Sequence, residues 1–382
     1  MAMSTIQWRS WTLLGALSLL LFLITASTFS SLGVVLPAMI KDQQWSFASA
    51  FLGFTLLGVG YQMMALIPGT HLLSMLFKKR ALPFGIYFTI GSLGGVAGPW
   101  MALVGMEIAS GAWRPYWAWQ AIASAVVGVL ATALVPGKAW LESAAVETDK
   151  AVAEEAAAQP ANARVYRTQV DWTVKEAIRT PQFYVIVAAY FAHLLGGVTA
   201  VSLAPSHFSE MGVISTVAVA ALSLESLMQV VARMSGGLLG DRVDPRWLLA
   251  GAQGMMAAGL LALAHATTWP MMVVFALGVG VGFGMTVLAI SILLLNYYGR
   301  KNNLELFSMV CLVGAVSALG PVIGGFMRDR LGGFAPTFQV FAAVIGVIFV
   351  AALFMRPPRK TVEESTLAPV PAPTPVLLRD AA

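Results

Sequence analysis

The chain has 382 residues, of which 58% are hydrophobic and only 11% charged, with a formal net charge of +5. Its mean hydropathy is +0.78. Soluble domains carry about 25% charged residues, so the composition excludes a water-soluble globular fold and makes lipid the solvent for most of the chain. The lone cysteine, Cys311, excludes an intrachain disulfide and a thiolate metal site; it reads as a small apolar helix residue. The positive charge does not point to nucleic acid, because the basic residues sit beside apolar runs, as topology signals do.

Ten membrane-spanning helices are expected, over 11–39, 47–77, 82–107, 114–136, 182–207, 213–239, 247–266, 270–297, 303–326 and 334–355. Helices are the natural solution because lipid offers no partner for backbone polar groups. The first run is free of charge from Leu13 to Met39, longer than the roughly 20 residues that cross a bilayer. It also exceeds the apolar core of about 7–15 residues in a cleaved signal peptide, so it reads as a retained span. Trp8, Trp11, Trp113, Trp117, Trp172 and Trp269 flank the runs, as interfacial aromatics do.

Four spans precede an Ala- and Glu-rich stretch over 137–172 and six follow it. The expected organisation is a shortened N-terminal bundle over 1–136, a linker with a short interfacial helix over 137–181, a six-helix bundle over 182–356 and a disordered Pro-rich tail over 357–382. Thr173 and Glu176 have the spacing of a capping box, Val174 and Ile178 share a face, and Pro181 stops the turn.

With both termini placed in the cytoplasm, the inside segments hold eighteen Lys and Arg, including Lys78, Lys79, Arg80, Arg242, Arg246, Arg300, Lys301 and Arg356. The outside segments hold four: Lys41, Arg114, Arg328 and Arg330. That asymmetry satisfies the positive-inside rule and predicts an integral, multi-pass protein of the plasma (inner) membrane. Arg233 alone lies within a helix.

An internal repeat joins the two halves. Gly58, Gly60 and Arg80 recur as Gly278, Gly280 and Arg300 at an offset of 220, and "GGVAGP", ending at Pro99, recurs as "VSALGP", ending at Pro321, at 222. Earlier in each half, Pro37 and Pro205 are only 168 apart, so the first half is shorter by 54 residues. That length equals two membrane helices and a turn. The polar turn "SGGLLGDRVDPRWL" of the second half has its counterpart inside the missing block. Repeated halves are a signature of transporters, with a site at their interface.

These features resemble the major facilitator superfamily. Gly237, Asp241 and Arg242 resemble its gating turn, while "LFKKRALPFGIYFTIGSLGGVAGP" and "YYGRKNNLELFSMVCLVGAVSALGP" resemble its loops into helices 5 and 11. "RTPQFYVIVAAYF" and "ARMSGGLLGDR" are similar to the branch of monocarboxylate carriers and oxalate–formate-type antiporters. The resemblance covers the chain from Leu13 to Met355 apart from the missing block. It implies an all-α, two-bundle fold working by alternating access, here with about ten spans, four and six, instead of twelve. The carriers place a charged residue in helix 1 that this chain lacks. They also pair Asp with Arg four residues later in helix 8, where this chain has Gln229 and Arg233.

Arg233 is the sharpest candidate for substrate contact, because a guanidinium in a span is expensive without a partner or cavity and its planar fork suits a carboxylate. The alternative is snorkelling to an interface about 9 Å away. Glu225, Gln229 and Arg233 follow i, i+4, i+8 spacing and share a face. A buried acid favours its neutral form, so Glu225 is the candidate for proton coupling, with a structural partner for another helix as the alternative. Tyr190 and His193 are further candidates for substrate contact through the resemblance, which makes their helix line the cavity; satisfied buried polar groups are the alternative. Gln62 and His71 lie in the composite second span, and Asn296 reads as interfacial. Gly237, Asp241 and Arg242 are the expected gate, and Gly58, Gly60, Gly278 and Gly280 are expected to allow close helix packing.

No phosphate-binding GxxxxGKS loop, metal-ligand spacing or nucleophilic triad is present, so an ATP-driven pump, a metal site and an enzyme are not indicated. The expectation is a secondary active transporter for a small organic anion, a mono- or dicarboxylate, by symport with protons or by antiport, with no cofactor, no nucleic acid, and the bilayer and substrate as partners. The expected assembly is a monomer or an oligomer whose size the residues leave open. The rival is a shortened membrane protein that does not transport, either inactive or a binding and sensing scaffold, because four helices do not readily rock against six.

Overall fold

The computed structural model describes residues 5–61, 67–77, 81–135, 137, 166–168, 170–239, 243–299 and 301–359. Its described regular elements are all helical. The first half holds α1 (Thr5–Thr25), a π-helical turn (Ala26–Ser30), α2 (Ser31–Gln43), α3 (Phe47–Tyr61), α4 (Ile67–Leu76), α5 (Ala81–Ile108) and α6 (Trp113–Leu134). After the short α7 (Val174–Ala177) come α8 (Pro181–Glu210), α9 (Ser215–Leu239), α10 (Pro245–Ala264), α11 (Trp269–Tyr298), α12 (Asn303–Ala315), a 3₁₀ turn (Val316–Leu319), α13 (Gly320–Leu331) and α14 (Ala335–Phe354).

Nine described helical segments are long and apolar enough to cross a membrane, and the protein is an integral, multi-pass membrane protein. The expected spans from the third to the tenth match eight of them closely, while the first, 11–39, is divided into Trp8–Thr25, the π-helical turn and α2. Of the second, 47–77, the described residues give α3 and α4, on either side of residues 62–66, which lie outside the described residues. The Gly58 and Gly60 surroundings, Gln62, the His71 side chain, the tail beyond Arg359 and residues 138–165 of the linker lie outside the described residues.

Two spans are jointed. The first is interrupted by the π-helical turn, where the Ser31 hydroxyl donates to Ala26 O at 2.5 Å and to Gly98 O of α5 at 3.0 Å. A Cβ on Gly98 would lie 2.5 Å from Ala26 O, so the glycine permits this close crossing. The span Asn303–Leu331 tightens to 3₁₀ just before Pro321. Its missing N–H and ring make an uninterrupted α-helix through that point unfavourable.

The capping box is present: Thr173 accepts from Glu176 N while the Glu176 carboxylate accepts from Thr173 N at 2.8 Å. Pro181 does more than stop that turn, because it opens α8 at the first position after the Thr180 cap, where its lost N–H is harmless. The end of the linker is held firmly. Thr168 N donates to Asn296 O at 2.8 Å, Trp172 N donates to Tyr298 O at 2.9 Å, and Asn302 Nδ2 donates to Trp172 O at 2.8 Å.

The halves meet along related seams. An offset of 168 carries the start of α3 onto the start of α9, and 222 carries Pro99 of α5 onto Pro321 of α13. The observed contacts obey that relation: α9 packs on α5, and α3 packs on α13. At the second seam a Cβ on Gly325 would lie 2.8 Å from the Phe47 carbonyl carbon. There the Asp329 carboxylate accepts from Ala48 N at 3.2 Å.

Candidate functional site

The face shared by Glu225, Gln229 and Arg233 lies on α9 where it meets α5. The 3.6-residue repeat stacks side chains four apart on one stripe, and the stripe is a continuous polar ladder. Gln229 Nε2 donates to Glu225 Oε1 at 2.9 Å, and Ser226 Oγ donates to Glu225 Oε2 at 3.2 Å. Arg233 Nη2 donates to Gln229 Oε1 at 3.4 Å, and Arg233 Nη1 donates to Ser92 Oγ across the seam on α5. One turn toward the other end of α9, Ser223 Oγ donates to Val96 O of α5 at 2.8 Å.

Glu225 is fully buried and Arg233 half-buried. An arginine at the centre of a span costs about 2.5–3.5 kcal/mol on insertion scales, and hydrogen bonds to the guanidinium offset part of that. The ladder is a chain of groups able to hand hydrogen bonds along about 12 Å of helix, from the acid to the guanidinium. Gly280 of α11 allows this: its Cα faces Glu225 O so closely that a Cβ would collide. The expected packing role of Gly278 and Gly280 is therefore visible, Gly278 lying against Gly259 and Met255 O of α10.

Tyr190 and His193 lie on α8, one turn apart and buried. Their rings are 5.8 Å apart, and His193 stacks on Phe283 of α11 at 4.1 Å. Tyr190 packs on Phe307 of α12, and its hydroxyl accepts from Cys311 Sγ at 3.6 Å. Cys311 is thus half-buried and weakly paired rather than purely apolar filling. His193 Nδ1 is buried without a hydrogen-bond partner. Of the predicted residues, Glu225, Gln229 and Arg233 form one connected group, while His193 and Tyr190 form a separate ring pair on α8.

Gly237 lies in the last turns of α9, and Asp241 and Arg242 lie outside the described residues. Ser92 and Ser226, which no sequence pattern singles out, complete the ladder. The only signal for Ser92 is its place in the repeated Gly-rich run before Pro99; a lone serine in a span otherwise reads as a helix-compatible small residue.

At the opposite end of the seam, Arg328 of α13 pairs with Glu210 of α8 at 2.7 Å and lies over the Phe47 ring of α3 at 4.4 Å. Within the first half, Asp42 at the end of α2 accepts from Trp113 Nε1 and from Arg114, each at 3.0 Å. Hydrogen bonds from Gln43 and Trp113, with the Arg114 charge, hold its carboxyl below the usual aspartate range.

The sequence profile of the Major Facilitator Superfamily matches residues 186–381. Among curated proteins no match is found. Two solved structures match this chain at low similarity. One is the fucose:proton symporter FucP of E. coli, at a TM-score of 0.42 and 15% identity, over 91% of this chain and 95% of that one. The other is a bacterial homologue of the human lysosomal transporter Spinster, in an inward-facing and occupied conformation, at 0.49 and 16%, over 91% and 96%. With its helical architecture and a profile that spans half its length, this chain belongs to the Major Facilitator Superfamily, a family of secondary transporters, and is not an enzyme.

Proposed function

We propose that the protein moves a small organic anion, a mono- or dicarboxylate, across the plasma (inner) membrane by proton coupling or exchange, with both termini in the cytoplasm. The observation that carries this reading is Arg233, a guanidinium within a span, donating to neutral partners on both sides of the α5–α9 seam. A substrate carboxylate replaces those neutral acceptors with charge-assisted, bidentate bonds, which are roughly twice as strong. Gln229 orients the guanidinium. His193 adds a buried nitrogen on α8, which packs on α9, and Tyr190 shapes the wall beside it. Glu225 is the proton carrier two turns away, joined to Arg233 through Gln229. Asp241 and Arg242, with Gly237, form the gate at the basic end.

The test is uptake of a labelled organic-acid panel into proteoliposomes. Native protein takes up at least one acid, and Arg233→Ala reduces that uptake by tenfold or more. Glu225→Gln retains exchange but loses uptake driven by a proton gradient. Unchanged proton coupling in Glu225→Gln overturns its role, and unchanged uptake in Arg233→Ala overturns the anion site.

The rival reading, a shortened protein that does not transport, draws on the offset of 168 between Pro37 and Pro205, 54 short of the 222 between Pro99 and Pro321. It predicts no uptake of any acid by native protein that is folded and correctly inserted.

A further inference from the structure

A second kind of site lies outside the ladder, at the basic end of the second half. The chain there is tied into a corner where α8 begins and α14 ends. Gln182 Nε2 donates to Arg356 O at 2.9 Å, and Tyr166 Oη donates to Pro358 O at 3.0 Å. The ties fix Arg179, just before α8, and Arg356 and Arg359, just after α14, on one corner. All three are exposed, and none makes an ion pair among the described residues. Like charges gathered at one corner of the chain repel one another, and an anion among them relieves that repulsion.

Directly beneath, α14 presents an outward stripe at helical spacing through Val340, Val344, Val347 and Phe354. Phe354 is 78% exposed and sits two residues before Arg356. In a bilayer such a stripe faces acyl chains, and Phe354 sits at the depth where chain meets headgroup. Cations held above an apolar stripe match a molecule with a negative head and a hydrocarbon tail. A free anion uses only the first feature, and a zwitterionic lipid uses the cations poorly.

We propose that the corner formed by Arg179, Arg356 and Arg359 over Phe354 is a binding site for the headgroup of an anionic phospholipid, whose chain lies along the outer face of α14. The site is independent of the substrate reading, since none of its residues belongs to the ladder.

The experiment uses the full chain in a neutral detergent. Short-chain phosphatidylglycerol, phosphatidylcholine with the same chains, and inorganic phosphate are titrated in turn. Bound lipid is read by native mass spectrometry, and the unfolding temperature is followed in parallel. Phosphatidylglycerol is expected to stay bound and raise the unfolding temperature, while phosphatidylcholine does neither. The combined Arg179→Ala, Arg356→Ala, Arg359→Ala variant is expected to weaken phosphatidylglycerol at least fivefold. Lys301→Ala, an exposed cation at the same end, is expected to change it less than twofold. Phe354→Ser is expected to weaken the lipid but not phosphate.

Equal binding of the two lipids overturns the proposal. So does an equal loss in Lys301→Ala, which would mark a diffuse field, or phosphate binding as tight as the lipid with no effect of Phe354→Ser, which would mark a free-anion site. Should the triple variant not fold, native protein decides by salt. Binding carried by exposed cations weakens between 50 mM and 500 mM salt, and salt-independent binding overturns the site.

Discussion

In the second half, α11 lies against α10 and α9 through backbone-to-backbone approaches at Gly278, Gly280 and Gly282, and 61% of its apolar window is buried. In the first half, α6 buries only 11% of its window, and its buried residues are Tyr116, Gln120 and Ala131. The first half's own clusters are small, one centred on Leu13, Leu17, Leu73 and Tyr87, another on Val35, Ala102 and Tyr116. Leu32, Leu36, Ala50 and Phe51 of the first half join the large core of the second. The first half therefore completes its packing across the seam, by α5 on α9 and α3 on α13.

The comparison breaks most sharply at the glycine crossings. Gly278→Leu places carbon 2.6 Å from Gly259 Cα and from Met255 O, both backbone atoms that cannot yield. The expected cost is about 3 kcal/mol or more, seen as loss of monodisperse protein after extraction. Gly128→Ala on α6, where a Cβ meets nothing within 4 Å, is expected to be neutral or slightly stabilising, by about 0.5 kcal/mol. Equal damage at both positions would erase the contrast between the halves.

The seam comes next. Gly325→Leu drives carbon into the backbone of Phe47 and Ala48. A cost of about 2 kcal/mol is expected, with a lengthened distance between spin labels on α3 and α13. An unchanged distance would mean that α3 does not depend on α13 for its position. A smaller effect is expected from Arg328→Ala, which loses the Glu210 pair and the Phe47 contact. Both groups are partly exposed, so about 1 kcal/mol is expected, reduced further at high salt. A double-mutant cycle with Glu210→Ala separates the pair from the ring contact.

The smallest effect belongs to the first half alone. The Asp42 carboxyl is held below its usual range by Gln43, Trp113 and Arg114. A depressed folded value contributes stability above the unfolded value, lost as pH falls through the folded one. The α2–α6 clamp should therefore loosen only below the ordinary aspartate value of 3.8. Trp113 fluorescence in native protein is expected to titrate there, and Asp42→Asn to abolish the step. A step near neutral pH would assign the clamp to another group.

Much of this was legible in the residues. The ends of α5, α8, α9, α10, α11 and α14 lie within a few residues of the expected spans, because apolar runs bounded by charge leave little freedom in lipid. The capping box at Thr173 and the shared face of Glu225, Gln229 and Arg233 follow from local spacing. Pro181 was harder, since proline both ends and begins helices, and only the path of the chain decides between them. The π-helical turn at Ala26–Ser30 leaves no compositional trace; it accompanies the bond from Ser31 to Gly98, 67 residues away. Ser92 and Ser226 were invisible for the same reason.

The sequence by itself determined that the chain lives in a membrane, which landmarks recur between its halves, that Pro37 and Pro99 are 54 residues closer than Pro205 and Pro321, and which polar side chains share the stripe on α9. Each follows from composition, from repetition, or from a periodicity of 3.6 residues that needs no distant partner. Only the tertiary structure decided that the stripe meets Ser92, that α3 leans on α13, and that the first half completes its core with the second. Those outcomes depend on where glycines let two backbones approach, and such an approach is a property of two segments far apart in the chain.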